Sequence, residues 1–242
     1  MMKKTLIATA LLASSSASLA EISGNVTMAS DYVFRGISQT DNQMAIQGGF
    51  DYEHESGLYI GTWASNVDSD FFYSAKDPQV EWDIYAGYSG KVDNFGYDLG
   101  YIRYQYPSTD DVNTNEWYAS GSYSAGEIGD FSLSANYSPK LQFFASNDSA
   151  WYWKAAYENT LPWYEIGISA HVGYSTGDAF DGGNGAALND DYTDWSLGVS
   201  KSVFGVDLGM TYTDTDFSNS DDEDALESIS DSRVVFSVSK SL

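Results

Sequence analysis

The segment YEIGISAHVGY, Tyr164 to Tyr174, places an apolar residue at every second position: Tyr164, Ile166, Ile168, Ala170, Val172 and Tyr174. Glu165, Gly167, Ser169, His171 and Gly173 stand between them. A period of two belongs to a β-strand with one apolar and one polar face, whereas a helix would repeat its apolar positions every ~3.6 residues. Rings close both ends of the apolar face and aliphatic side chains fill its middle. That order needs an explanation which strand propensity alone does not supply.

The same pattern recurs along the chain. From Ile22 the even positions read Ile22, Gly24, Val26, Met28, Ser30, Tyr32 and Phe34, with Asp31 and Arg35 on the polar side. It resumes at Met44, Ile46, Gly48, Phe50 and Tyr52, then from Val80, Phe95, Phe131, Trp151, Trp195 and Val206, and finally from Val234 to Leu242. The segments Leu58 to Ser65 and Glu116 to Tyr123 are also strand-like, but their facing stays open. About twelve strands are expected. Short connections, such as His54 to Gly57, Ser89 to Asn94, Asn159 to Pro162 and Val203 to Gly205, alternate with long ones at Gly36 to Gln43, Asn66 to Gln79, Pro107 to Asn115, Ser138 to Ser149, Ser175 to Asp191 and Thr213 to Ser232.

One-sided alternation fits either a water-soluble sandwich with the apolar face inside or a transmembrane barrel with that face in lipid. The even strand number and alternating loop lengths favour the barrel: an all-β, antiparallel, up-and-down transmembrane β-barrel with short periplasmic turns and long extracellular loops. The aromatic ends of the apolar face agree, because Tyr and Trp rings settle at headgroup level. Closure also removes the unpaired strand edges that a bilayer does not tolerate.

Residues 1–20, MMKKTLIATALLASSSASLA, combine Lys3 and Lys4, a short apolar run and small residues before Ala20. This is the layout of a cleaved secretory leader, leaving 21–242 as a single barrel domain. The whole chain carries 35 acidic against 11 basic residues, a net charge of −24, and loses two of those bases with the leader. So acidic a chain is a poor ligand for nucleic acid. The absence of cysteine excludes disulfides, thiolate metal sites and cysteine nucleophiles.

SDYVFRGISQT, Ser30 to Thr40, followed by SGLYIGTWASNV, Ser56 to Val67, resembles the TorF-type porin family of Gram-negative bacteria. The resemblance spans the chain from Glu21 onward and implies an outer-membrane barrel with a channel-like role. Members of that family typically end in an aromatic residue recognised by the barrel-assembly machinery. This chain ends in Leu242 and departs from the pattern. The resemblance carries no catalytic residue, cofactor or metal.

With the apolar face in lipid, the other face lines a lumen. The pore-lining candidates are Asp31, Arg35, Glu81, Asp83, Asp98, Lys154, Glu165, His171, Asp207 and Arg233, with Asp51, Glu53, Glu158 and Asp194 sharing their parity. Acids prevail among them, which predicts weak cation selectivity in a channel for passive diffusion of small solutes. Alternatively, these acids pair with basic and phenolic groups in a filled barrel that serves as a surface, structural or receptor protein. Arg35 is either a selectivity residue or the partner in an ion pair that fastens the first long loop.

The acidic stretch Thr213 to Asp231 has the oxygen-rich spacing of a calcium loop at Asp214, Asp216, Ser218, Ser220 and Asp222, but Asn219 and Ala225 replace its glycine and its bidentate glutamate. Asp181 to Ala187 forms one glycine-rich turn without a repeat. Both stretches read first as solvated loops, with diffuse Ca²⁺ or Mg²⁺ contacts bridging to lipopolysaccharide phosphate as the alternative. His54, Ser56 and His171 show no Ser, His and acid arrangement in the sequence, so no enzyme is expected.

Overall fold

The computed structural model describes residues 21–68, 78–107, 109–142, 146–181, 190–217 and 225–242. The expected leader, residues 218–224 of the acidic 213–231 stretch and residues 182–187 of the glycine-rich turn lie outside these residues. Twelve long strands close into one barrel: β1 (Glu21–Ala29), β4 (Ala45–Glu53), β5 (Leu58–Asn66), β6 (Val80–Val92), β7 (Phe95–Tyr106), β8 (Thr109–Ser124), β9 (Asp130–Ser138), β10 (Ala150–Leu161), β11 (Ile166–Thr176), β12 (Tyr192–Val203), β13 (Val206–Thr215) and β14 (Arg233–Ser241). Each pairs antiparallel with its neighbour, and β1 closes the sheet against both β4 and β14. Between β1 and β4 lies a miniature hairpin, β2 (Val33–Phe34) with β3 (Ile37–Ser38). A short helix, α1 (Ala225–Ser230), precedes β14.

The register keeps one parity around the circumference. Met28 faces Ile46 on one side and Val238 on the other; Ile168 faces Val199 and Asn159; Met210 faces Val199 and Phe236. Side chains of the apolar set point outward, with Leu133 69% and Phe50 62% exposed. A continuous band of this kind would drive aggregation in water and is stable against hydrocarbon. Paired rings bound the band: Phe95–Tyr123 and Phe131–Tyr157 at the short-turn end, Tyr101–Trp117, Tyr137–Trp151 and Trp195–Tyr212 at the long-loop end. These are the two aromatic girdles that the sequence predicts.

Three details differ from the sequence reading. The alternation runs on to Arg35, but β1 stops at Ala29. The cause is Asp31, whose Oδ1 accepts the Ser38 hydroxyl at 2.6 Å and the Thr40 hydroxyl at 2.8 Å, pulling the chain off the wall. Arg35 and Gly36 then make the turn at φ 49° and 82°, left-handed at both central positions as a two-residue hairpin requires. Secondly, Pro107 to Asn115 is mostly strand, because β7 and β8 extend past the barrel rim with a register shift between Tyr104 and Tyr106. Asn113 Oδ1 accepts the Tyr106 N–H at 2.8 Å near that shift. Thirdly, β10 runs to Leu161, so the turn is 162–165 rather than Asn159 to Pro162, and Glu165 sits in it at φ 51°.

The two open facings are also resolved. Trp117 and Tyr123 point to lipid and Glu116 inward; Leu58 and Ile60 point out and Tyr59 inward.

Candidate functional site

The site occupies the barrel interior at the long-loop end. Its roof is the β2–β3 hairpin, folded into the mouth so that Ile37, Gln39 and Thr40 are almost wholly buried. Ile37 belongs to an apolar cluster with Tyr104, Tyr106, Leu141, Phe180 and Ile229, gathered from different connections and strand ends. Tyr32 and Phe34, which the alternation assigns to the lipid-facing girdle, turn inward instead. Tyr32 packs edge-on against Trp63 at 5.2 Å, and Phe34 against Tyr104 at 5.8 Å.

Beneath this roof lies a belt of carboxylates on the inner wall. Glu81 accepts hydroxyls from Tyr32 at 2.8 Å and Tyr106 at 2.6 Å. Asp83, two residues along β6, is buried, and its Oδ1 has no donor among the described residues. Glu116 of β8 is 1% exposed and accepts from Arg35 Nη2 at 2.6 Å, Asn136 Nδ2 at 2.8 Å, and the Tyr104 and Ser138 hydroxyls at 3.2 Å. Asp194 of β12 is fully buried; its Oδ1 meets His171 Nε2 at 2.8 Å and Tyr152 Oη at 3.3 Å, and its Oδ2 has no donor among the described residues.

Arg35 sits at the centre of this belt. Its guanidinium lies 4.3 Å from the Tyr152 ring centroid and 4.7 Å from that of Phe34. Burial alone would push its pKa down, but the Glu116 charge, helped by nearby phenols, outweighs this and holds it above its ordinary value. For the Tyr32 phenol, burial and then the Glu81 charge both act upward, so it stays neutral and donating.

Toward the short turns, tyrosines fill the lumen instead of loops. Tyr59 donates to Asp98 at 2.6 Å and Tyr85 to Asp51 at 2.6 Å, while the Tyr59 and Tyr118 hydroxyls touch. Each ring lies across a glycine on the neighbouring strand: Tyr85 over Gly61, Tyr59 over Gly87, Tyr118 over Gly100, and higher up Tyr152 over Gly173. A Cβ at any of these glycines would collide with the phenol. Inward glycines are therefore the slots that let a twelve-stranded barrel be lined by flat rings.

The remaining candidates spread along the interior. Asp98, Lys154 and His171 are on the inner wall, Lys154 beside Gly173 in the register. Asp207 is at the short-turn rim, where it accepts the Ser202 hydroxyl. Arg233 binds Asp31 Oδ2 at 3.1 Å and contacts Asn42, so it locks the first connection to the start of β14. Glu165 is the exception: it is exposed in the 162–165 turn and does not line the interior. Glu116 and the roof residues Ile37, Gln39 and Thr40 are not among the sequence candidates, whereas Arg35 at the hairpin tip is. The Arg35-Gly36 pair is the signal that could have found the hairpin.

The interior also holds a serine, a histidine and an acid in line, contrary to the expectation from sequence. His171 Nδ1 is 2.8 Å from Ser196 Oγ, and its Nε2 is 2.8 Å from Asp194 Oδ1. Ser196 pairs in register with His171 and with Thr213 on its two sides. Its backbone is thus committed to the barrel ladder on both sides. The trio acts as a cross-strand brace.

The fold is similar to that of solved bacterial porins. A structure described as KdgM porin matches with a TM-score of 0.55 and 9% sequence identity, covering 92% of this chain and 98% of that one. NanC porin matches with a TM-score of 0.58 and 9% identity, covering 89% and 97%. No curated protein matches the chain in sequence. At such identity the likeness concerns the closed twelve-stranded architecture. The family model described as a bacterial protein of unknown function, Gcw_chp, matches residues 13–242, and the chain belongs to that family.

Proposed function

We propose that the protein is an outer-membrane, porin-like channel for passive diffusion of small solutes, weakly selective for cations, and functionally akin to the TorF-type porins it resembles. The observation that carries this reading is the excess of inward carboxylates over inward cations. Asp51, Glu81, Asp83, Asp98, Glu116 and Asp194 face the interior, against Arg35, Lys154 and Arg233. In a water-filled tube with low-dielectric walls, such a lining concentrates cations and repels anions. Passage needs no catalysis and no cofactor. Lipid and lipopolysaccharide would contact the outer band, and the barrel-assembly machinery would insert the chain.

The test is the current through the purified, refolded protein in a planar bilayer, with the reversal potential read across a KCl gradient. Discrete steps with a cation-sided potential are expected; steps with an anion-sided potential would overturn the selectivity. One observation favours a second reading, a non-conducting surface or receptor barrel: the apolar cluster around Ile37 and Phe180 draws the mouth together. Absence of steps from a barrel shown to be folded would decide for it.

A further inference from the structure

The geometry points to a guanidinium-binding site in the lumen, which Arg35 occupies as a tethered occupant and which a guanidinium-bearing solute fills in exchange. The inference deepens the channel reading, since it names the solute group the constriction recognises. The site has what a planar cation needs: a carboxylate in line with the N–H edge and a ring under the face. Glu116 Oε2 lies 2.6 Å from Arg35 Nη2, and the Tyr152 ring lies beneath Cζ at 4.3 Å. Glu116 is itself held in place by Tyr104, Asn136 and Ser138, so the acceptor is fixed by the wall and not by Arg35 alone.

A second observation is independent of Arg35. Asp83 Oδ1 and Asp194 Oδ2 are buried with no donor among the described residues. Buried carboxylate oxygens of this kind normally hold a hydrogen bond. Asp194 belongs to the same wall, because Tyr152 donates to it and a Cβ on Gly36 would strike it. The interior therefore presents more acceptor than one arginine satisfies, and the surplus favours a cation with several N–H groups.

Arg35 is also mounted so that it can be exchanged. It comes from the tip of a hairpin that forms a two-stranded sheet of its own, separate from the barrel sheet. Its withdrawal breaks no ladder of the wall.

The experiment is chemical rescue in detergent. Arg35→Ala is purified and its thermal midpoint measured with low-millimolar ethylguanidinium, with its neutral isostere ethylurea, and with sodium at equal ionic strength. Ethylguanidinium alone should raise the midpoint by about 2–4 °C, the scale expected when a ligand stabilises a chain of this size. The wild type, where the tethered Arg35 competes for the site, should show a smaller rise, and the double variant Arg35→Ala, Glu116→Gln should lose it. Equal effects of ethylguanidinium and ethylurea, or no effect of either, would overturn the proposal. Arg35→Met, which keeps the bulk of the stem, serves as the second background should the alanine variant fail to fold.

Bilayer recordings on the same samples separate this proposal from the channel reading. Rescue without conductance leaves the site standing and removes the channel; conductance without rescue does the reverse.

Discussion

At the scale of single residues, the inner surface is organised by Tyr-to-carboxylate hydrogen bonds and by ion pairs that tie a connection to the wall. Asp31 is the tightest example. It accepts from Ser38, Thr40 and Arg233, and both charged side chains are close to 10% exposed or less. Removing one partner of a buried pair leaves the other uncompensated, typically at a cost of about 3–5 kcal/mol. Here the loss falls on the hairpin, not on the barrel ladder. Asp31→Ala is therefore expected to free the β2–β3 segment while the barrel stays closed. Trypsin reports this directly, because the bond after Arg35 is shielded in the wild type, where the Arg35 side chain is 10% exposed. Faster cleavage at Arg35 with an unchanged heat-resistant mobility on a gel is the expected outcome. Equal cleavage rates would mean that Asp31 does not hold the hairpin. Gly36→Ala should act in the same direction, since φ 82° is costly for any residue with a Cβ and that atom would meet Thr215.

At the scale of elements, the wall was legible and the roof was not, and the reason lies in what a period of two reports. Alternation gives the facing of a strand wherever the two faces differ chemically, as in Tyr164 to Tyr174 or Val80 to Tyr88. β8 defeated it because Ala119 and Gly121 face out while Ser120 and Ser122 face in, so neither face is distinctly apolar. The roof defeated it differently: Tyr32 and Phe34 keep strand parity although the chain has left the sheet. Nothing local separates a ring in a girdle from a ring in a mouth plug except the turn chemistry that follows it. Glu165 failed at the other rim, where a positive-φ turn takes up two residues that look like the start of a strand. The outward assignment itself has a quantitative consequence. Leu197, between Ala170 and Tyr212 on the lipid face, is 56% exposed. Leu197→Arg should destabilise the folded barrel in lipid by about 2–4 kcal/mol. Lys201, four residues nearer the short-turn rim on the same face, should tolerate Lys201→Arg without measurable change. Urea-dependent folding into vesicles measures both, and equal tolerance at the two depths would contradict the membrane placement.

For the whole molecule, the barrel leaves a division of labour along its axis. The ladder closes the wall, the apolar band meets lipid, the phenols narrow the short-turn half, and the hairpin with its acidic belt narrows the long-loop half. Any permeant ion must pass the carboxyl groups of Glu81, Asp83, Glu116 and Asp194, which the Arg35 charge offsets only in part. Lys154 is an inward cation on β10, opposite Gly173 and Ser134 in the register. Selectivity set by such fixed charges depends on screening: the Debye length is about 10 Å at 0.1 M salt and about 3 Å at 1 M. Across gradients of equal ratio, the cation-sided reversal potential is therefore expected to be larger at low mean salt and to shrink as the mean rises. Lys154→Gln should enlarge it at low salt, because it removes an opposing charge, and should matter little at high salt. A potential independent of ionic strength would locate the selectivity in pore width, and one that Lys154→Gln moves toward anions would reverse the assigned sign of the lumen field.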